Sequence, residues 1–198
     1  MEDERPHVII LGGPNGAGKS TAAPALLRGT LRVAEFVNMD VIAQGLSAFE
    51  PDRVGLTAGR IMLARLQELA RQRADFAFET TLASRSFAGW IEHLKCEGYS
   101  FHLLFLWLST TDCAIQRVAD RVRMGGHGVP DEIVKRRYRR GLVNFFELYQ
   151  PLATTWRMYD NSRTAGPKLL AAGQGASATF LADERLWARL KRGLRDAC

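Results

Sequence analysis

The sequence of 198 residues has few cysteines and no long hydrophobic run. Its three cysteines, Cys96, Cys113 and Cys198, show no CxxC spacing, so neither a disulfide framework nor a zinc site is indicated. No apolar run reaches the ~18 residues that a transmembrane helix needs. The acidic N-terminus and its short apolar run are also unlike a signal peptide. These absences predict a cytoplasmic protein that does not enter the membrane.

The remaining composition is that of an ordinary globular chain. Hydrophobic residues make up 46% and charged residues 24%, which suits one α/β domain over residues 1–198. The net charge is +6 and arginine far outnumbers lysine. A basic balance is typical of a nucleic-acid binder, but equally of a pocket for several phosphates. Charge alone does not distinguish these two classes.

Short apolar runs alternate along the chain with stretches of helical periodicity. The runs predict strands at residues 7–11, 33–38, 76–78, 101–108 and 156–161. Such alternation is typical of a three-layer α/β fold, in which a parallel sheet of about five strands has helices on both faces. Beyond Ser162, the extension of about 163–198 predicts a small-residue stretch and then one helix, at 182–194.

Residues 13–20, GPNGAGKS, match the phosphate-binding pattern GxxxxGK[ST] and stand between a predicted strand and a predicted helix. Glycines tolerate positive φ, which turns backbone N–H groups inward onto phosphate oxygens. Lys19 would place its charge on the β- and γ-phosphates, and the Ser20 hydroxyl would coordinate Mg²⁺. The strand–loop–helix context disfavours a chance match. The predicted ATP·Mg²⁺ site comprises Gly13, Pro14, Asn15, Gly16, Ala17, Gly18, Lys19, Ser20 and Thr21.

Two acids directly follow predicted strands, where ligands bind in folds of this kind. Asp40 can take the proton of an acceptor hydroxyl as a general base; the alternative is a helix cap, because Asp is a good N-cap. Glu79 follows a hydrophobic strand, where a charge needs a partner. It is predicted to bind substrate hydroxyls or a water on Mg²⁺, with a capping or ion-pairing acid as the alternative. Together with Lys19, both acids are candidate catalytic residues.

Two signatures of other P-loop classes are missing. The guanine-binding NKxD pattern is absent, and the strand at 101–108 ends in Ser109 rather than in the Asp of the usual Walker B form. These absences argue against GTPases and motor ATPases. They leave small kinases, many of which lack a strict Walker B motif.

Basic residues concentrate in the stretch 117–140, on both sides of the glycine-rich residues 124–130. This helix–loop–helix of about 113–148, called the lid segment below, is predicted to close over the phosphates as an arginine-rich lid. The alternative for several of its arginines is a solvated helix face.

Three residues of the lid segment have positions from which they could contact phosphate. Arg121 and Arg123 are predicted to neutralise charge on the transferring phosphoryl group and are candidate catalytic residues. His127, between glycines at the tip, either contacts phosphate or is solvated.

The ordered motifs resemble the zeta-toxin family of P-loop kinases, in its compact bacterial branch. The matching segments span residues 7–162 and read PNGAGKST, FVNMDVIAQGLSAFEP, FAFETTL, FLWL, RVRMGGHGVP and LYQPLATTWRMYDNS. Zeta-type enzymes phosphorylate the 3′-hydroxyl of UDP-N-acetylglucosamine and related UDP-sugars, which blocks early peptidoglycan synthesis. The resemblance implies that Lys19 and Ser20 bind ATP·Mg²⁺, that Asp40 is the base and that Glu79 contacts the substrate.

The resemblance carries further expectations. It implies phosphate-binding arginines in the region of Arg121 and Arg123, an adenine-side position for Asp160 and Asn161, and an antitoxin protein as a partner. The insertions that shape the UDP-sugar pocket of the larger toxins are not evident in this chain. The acceptor is therefore open.

Three hypotheses follow. The first is a zeta-type kinase for a UDP-sugar. The second is a kinase for another metabolite, a nucleoside or a polynucleotide end. The third is a nucleotide-binding regulatory module, which Asp40 and the arginines of the lid segment disfavour, because a pure binder needs neither.

Overall fold

The computed structural model of the chain describes residues 5–30, 33–163 and 165–193. The strands are β1 His7–Gly12, β2 Glu35–Val37, β3 Phe76–Thr80, β4 Ser100–Trp107, β5 Thr155–Asp160, β6 Lys168–Gln174 and β7 Ser177–Leu181. The α-helices are α1 Lys19–Ala23, α2 Met39–Leu46, α3 Gly55–Arg71, α4 Ser86–Cys96, α5 Thr111–Arg123, α6 Asp131–Asn144, α7 Gln150–Leu152 and α8 Glu184–Gly193. Wider π-helical turns follow α1 and α6, at Pro24–Thr30 and Phe145–Tyr149, and a 3₁₀ turn at Pro51–Val54 precedes α3. Within these described residues, no helix has the length and apolar character needed to cross a bilayer.

Seven strands form one sheet in the order β2-β3-β1-β4-β5-β6-β7. The first five are parallel to their neighbours, and β6 and β7 add an antiparallel edge. The predicted α/β fold is confirmed, with seven strands instead of five. The loop after β1 and the turn after β3 leave the same edge of the sheet as neighbours, since Gly12 pairs with Thr80.

The apolar run of β1 explains why helices cover both faces. Val8 and Ile10 belong to one buried cluster, together with apolar residues of α3, α4 and α8. Ile9 and Leu11 belong to the other cluster, with residues of α1, α5 and α6. Because successive side chains of a strand point to opposite faces, a strand that is apolar throughout is buried on both sides.

The tail departs from the sequence expectation. The small-residue stretch is part of a β-hairpin, β6–β7, which extends the sheet beyond β5. Small residues fit there because a Cβ on Gly173 would lie 2.0 Å from the Ser177 carbonyl and 2.6 Å from the Trp156 ring. The helix α8 was predicted, and its Trp187 stacks on Trp156 with ring centroids 5.5 Å apart. Residues 194–198, including the end of the predicted helix and Cys198, lie outside the described residues.

Candidate active site

The phosphate loop joins β1 to α1 in a backbone shape that only glycine permits. Gly13, Gly16 and Gly18 have φ of +144°, +77° and +77°. A Cβ on Gly13 would lie 2.4 Å from the Leu106 carbonyl oxygen, and one on Gly16 would lie 2.7 Å from the Ala114 carbonyl oxygen. The loop therefore packs directly on the backbone of β4 and α5, with no space for side chains at these positions.

Two hydrogen bonds attach the loop to later parts of the chain. The buried Asn161 side chain, after β5, donates from Nδ2 to the Ala17 carbonyl at 2.8 Å. Arg137 of α6 donates from Nη1 to Asn15 Oδ1 at 3.4 Å. The structure shows Asn161 supporting the loop backbone, and the adenine-side position that the resemblance implied for it stays a prediction.

Lys19 is buried at the start of α1, with 7% of its side chain exposed. Its Nζ donates to the Gly13 and Pro14 carbonyls at 2.9 and 3.0 Å. The same nitrogen lies 3.5 Å from Glu79 Oε1. The ammonium is thus held at the mouth of the loop by acceptors alone.

The charges around Lys19 come from several elements. Burial lowers the pKa of Lys19, while the negative charges of Glu79 and Asp40 raise it; the positive charge of Arg121 lowers it further. Lys19, Arg121 and the two acids therefore share one electrostatic environment.

The structure separates the two arginines predicted from the lid segment. Arg121 lines the cavity beside the loop, and its Nε and Nη2 are buried without a hydrogen-bond partner among the described residues. Arg123 is 67% exposed, pairs with Asp120 and does not line this cavity. Of the two predicted arginines, Arg121 is therefore the one that lies beside the phosphate loop.

Glu79 lies at the end of β3, the strand beside β1. It accepts from the Ser20 hydroxyl at 2.8 Å, so the acid and the predicted Mg²⁺ ligand are adjacent. This is where a Walker B acid is expected to act. From the sequence, the Walker B acid was expected at the end of the strand 101–108, whereas the acid beside Ser20 lies at the end of β3.

Asp40 stands in the first turn of α2, and it does not cap the helix. The N-cap is Asn38, whose Oδ1 accepts from the backbone N–H groups of Asp40 and Val41 at 2.8 and 3.4 Å. The cap alternative for Asp40 was therefore wrong. Its exposed carboxylate lines the same cavity as Lys19.

Asn38 is a site residue that the sequence reasoning missed. Its Nδ2 donates to Glu79 Oε2 at 2.8 Å and to Ser20 Oγ at 3.3 Å. The available signal was an Asn between a short strand and a helix, which is a typical N-cap position.

The site opens into a cavity of about 1170 Å³. One end is formed by the phosphate loop, with Lys19, Ser20 and Thr21. Cationic side chains enclose it from α3, α5 and α6: Arg60, Arg117, Arg121, Arg136, Arg137 and Arg140. The lining also includes apolar and hydroxyl side chains: Met39, Leu56, Met62, Leu63, Phe87, Thr80, Thr81, Ser84 and Ser86.

Contacts fix the lid segment over this cavity. His127 lies between glycines at its tip, with Nδ1 2.9 Å from Asp52 Oδ1, so it contacts an acid of the 3₁₀ turn. The Tyr138 hydroxyl donates to the Leu108 carbonyl at 2.6 Å, and burial raises the pKa of Tyr138 to about 12. Asn144 donates to the Leu82 carbonyl at 2.7 Å.

The residues present fit ATP·Mg²⁺. The loop directs its backbone around a space next to two cations, Lys19 and Arg121, and Arg121 has buried N–H groups available for an anion. Ser20 and Glu79 supply the oxygen atoms that Mg²⁺ prefers.

A family described as "AAA domain" matches residues 8–145. The chain belongs to this family. In this AAA domain protein the matched region runs from β1 to the end of α6 and so contains the phosphate loop, both strand-end acids and the lid segment. Its fold is P-loop kinase-like.

Other proteins share parts of the sequence or the fold. An uncharacterized protein of Haemophilus influenzae is 28% identical over 130 residues, 66% of this chain and 91% of that protein. The structure of AvrRxo1-ORF1:-ORF2 with ATP matches with a TM-score of 0.71 at 17% identity, and the match covers 94% of this chain and 63% of that one. The PezAT chromosomal toxin–antitoxin system of Streptococcus pneumoniae matches with a TM-score of 0.63 at 14% identity, over 99% and 87% of the two chains. At these identities the two structures show a shared fold, and the chain spans less than two thirds of the matched chain in the AvrRxo1 complex.

Proposed function

We propose that this AAA domain protein is a kinase that transfers the γ-phosphate of ATP to a hydroxyl of a small anionic molecule. One observation carries the proposal. A single cavity joins the phosphate loop, Lys19 and Arg121 to an exposed carboxylate, Asp40. The rest of this cavity, called the chamber below, is large enough for a second substrate; its lining includes Arg60, Arg136, Arg140, Leu56 and Phe87. A pure nucleotide binder needs neither this base nor this chamber. The solved ATP complex of a protein with the same fold also supports ATP as the donor.

The phosphate side would bind and orient the donor. Backbone N–H groups of the loop and the Lys19 ammonium would hold the β- and γ-phosphates. Arg121 would neutralise the charge that develops on the transferring group. Ser20 and Glu79 would hold Mg²⁺, which supplies charge neutralisation between the β- and γ-phosphates when bound.

The acceptor side would deliver the nucleophile. The acceptor hydroxyl oxygen forms the new bond to the γ-phosphorus, while the bond from that phosphorus to the departing ADP oxygen breaks. The hydroxyl proton passes to Asp40, whose position in the first turn of α2 directs a carboxylate into the cavity.

A UDP-sugar such as UDP-N-acetylglucosamine is the first candidate acceptor. The sequence resemblance to zeta toxins supports it, and so does the chemistry of the chamber. Arg60, Arg136 and Arg140 can bind a diphosphate, and Leu56 and Phe87 offer apolar surface for a ring. The alternatives are another metabolite, a nucleoside or a polynucleotide end; among these, the arginines of the chamber favour acceptors that carry an anionic group.

An antitoxin protein is the corresponding candidate partner. The PezAT structure is that of a toxin–antitoxin system, and this chain shares its fold. Co-purification with the product of a neighbouring reading frame, followed by loss of phosphotransfer in the complex, would test this part of the proposal.

The direct test incubates the protein with labelled ATP and a panel of UDP-sugars, nucleosides, sugar phosphates and oligonucleotides, with mass spectrometry of each acceptor. One acceptor is expected to gain a phosphate. The variant Lys19→Ala is expected to lose ATP binding and transfer together. Retained transfer in Lys19→Ala, or no transfer to any acceptor by a wild type that binds ATP, would overturn the kinase assignment.

A further inference from the structure

Asn38 uses its whole side chain to connect three parts of the site. Its Oδ1 accepts from the backbone N–H groups of Asp40 and Val41, and its Nδ2 donates to Glu79 and Ser20. A primary amide has two donors and an acceptor oxygen with two lone pairs, so all four hydrogen-bonding positions are in use. With 6% of its surface exposed, the side chain has little contact with water that could replace these partners.

The partners determine which way the amide points. Two backbone N–H groups face one end and two side-chain oxygens face the other, and only an amide satisfies both ends. An Asp here would set its carboxylate against that of Glu79. A Ser would keep the cap but would lose the donor to Glu79.

The contact also determines where Glu79 acts. Glu79 Oε2 accepts from Asn38 at 2.8 Å and from Ser20 at 2.8 Å, and Oε1 lies 3.5 Å from Lys19 Nζ. Two of these three partners, Lys19 and Ser20, belong to the phosphate-binding segment, and the third, Asn38, directly precedes α2. The zeta-toxin resemblance implied a contact between Glu79 and the acceptor, and this geometry favours the opposite side.

We infer that Asn38 is a positioning residue that holds Glu79 on the Mg²⁺ and phosphate side of the cavity and, through its cap of α2, sets Asp40 against it. The inference rests on the proposed function. It identifies Glu79 as an acid that acts on the metal and the donor, and it makes Asn38 the link between the donor half and the acceptor half of the site.

The expected effect follows because Asn38 would not bind the metal itself but would orient Glu79, which would. Loss of a group that orients a metal-binding side chain typically reduces metal affinity or activity by about 10–100-fold. The variant Asn38→Ser retains an N-cap oxygen, so α2 and Asp40 are expected to stay in place while Glu79 loses its amide donor. Apparent Mn²⁺ affinity in the presence of a non-hydrolysable ATP analogue is expected to fall about tenfold.

A double-mutant cycle separates positioning from a general structural effect. If Asn38 acts through Glu79, the Mn²⁺ affinity loss of Asn38→Ser disappears when Glu79→Gln is already present. Asp183→Ala is the matched control, because Asp183 caps α8 with a 2.9 Å bond to the Leu186 N–H and lies outside the cavity lining. This control should lower thermal stability without changing Mn²⁺ affinity.

The experiment measures Mn²⁺ binding by electron paramagnetic resonance for the wild type, both single variants, the double variant and the control. Kinetics with the acceptor found above add a second readout: Glu79→Gln should raise the Mg²⁺ concentration for half-maximal rate and leave the acceptor KM within about twofold, as expected for an interaction outside the acceptor site. Equal Mn²⁺ affinity in Asn38→Ser and wild type, an Asn38→Ser effect that persists in Glu79→Gln, or a raised acceptor KM with unchanged Mg²⁺ dependence would overturn the inference. A wild type that binds Mn²⁺ and the analogue but transfers no phosphate would instead overturn the proposed function alone.

Discussion

Replacing Arg121 by Met should make the protein more stable and much less active. The Arg121 guanidinium has two buried nitrogens, Nε and Nη2, without a partner among the described residues, and its charge lies close enough to Lys19 to lower the pKa of that residue. Met retains an unbranched stem of similar length. The stem matters because Cγ of Arg121 packs against Gly126, where an added Cβ would lie 2.6 Å away.

Arg121→Met should change both the free energy of unfolding and kcat by measurable amounts. A buried polar group without a partner costs about 1–3 kcal/mol, so Arg121→Met should raise the free energy of unfolding of the free protein by about that amount. For a chain of this size this corresponds to a Tm higher by roughly 2–10 °C. An arginine that neutralises a transferring phosphoryl group is worth about 10³-fold or more in rate, so kcat should fall by about that factor.

Thermal unfolding with and without ATP·Mg²⁺, together with the transfer assay, tests both directions. The wild type should gain more stability from the nucleotide than Arg121→Met, because a ligand that binds the folded state more tightly stabilises it more. Arg123→Met is the control: its ion pair with Asp120 is exposed and should contribute about 0–1 kcal/mol, with no change in rate. An Arg121→Met protein that is less stable than wild type and still active would refute the reasoning.

Two further variants test the acceptor side and the lid segment. Asp40→Asn should leave ATP affinity unchanged and lower kcat by about 10²–10⁴-fold, measured by isothermal titration and the transfer assay, since only the proton acceptor is lost. Unchanged kcat would remove Asp40 from the mechanism. Tyr138→Phe should lower the free energy of unfolding by about 1–3 kcal/mol in urea at pH 8, because the Leu108 carbonyl loses its partner. The folded-state pKa of Tyr138 is raised to about 12, so the folded protein holds that proton more tightly; wild-type stability should therefore fall as pH rises from about 10 towards 12, and less steeply in Tyr138→Phe.

The sequence predicted the parts of the site that depend on local chemistry. The loop pattern, its position between a strand and a helix, and the two strand-end acids are set by neighbours in the chain, and they converge in one cavity. Alternation of strands and helices likewise indicated the parallel sheet. These features need only local propensity and the rule that ligands bind at the carboxyl ends of parallel strands.

What the sequence could not predict depends on residues far apart in the chain. Arg121 and Arg123 are two positions apart on one helix and were predicted to act alike, yet they face different surroundings because such residues are about 200° apart around the helix axis. Asn38 is the last residue of a predicted strand, and its contact in the site is with Glu79, 41 positions later. The β6–β7 hairpin was missed because its small residues have low strand propensity, and they are needed there to make room for the Trp156 ring.

Three unfavourable features lie near the phosphate loop, where a bound ligand would compensate or use them; others, such as the positive φ of Arg73, lie elsewhere. Leu82, three residues after Glu79, is fully buried with φ of +56°, a conformation that is strained for a branched side chain. Its N–H is bonded to Thr80 Oγ1 and its carbonyl to Asn144, so the surroundings impose the strain on the turn that follows β3. Buried Lys19 lies beside the same cavity as Arg121, two of whose nitrogens have no hydrogen-bond partner among the described residues. A fold selected for stability alone would relax each of them, whereas a bound polyphosphate would compensate the two cations and use the position that the strained turn gives to Glu79.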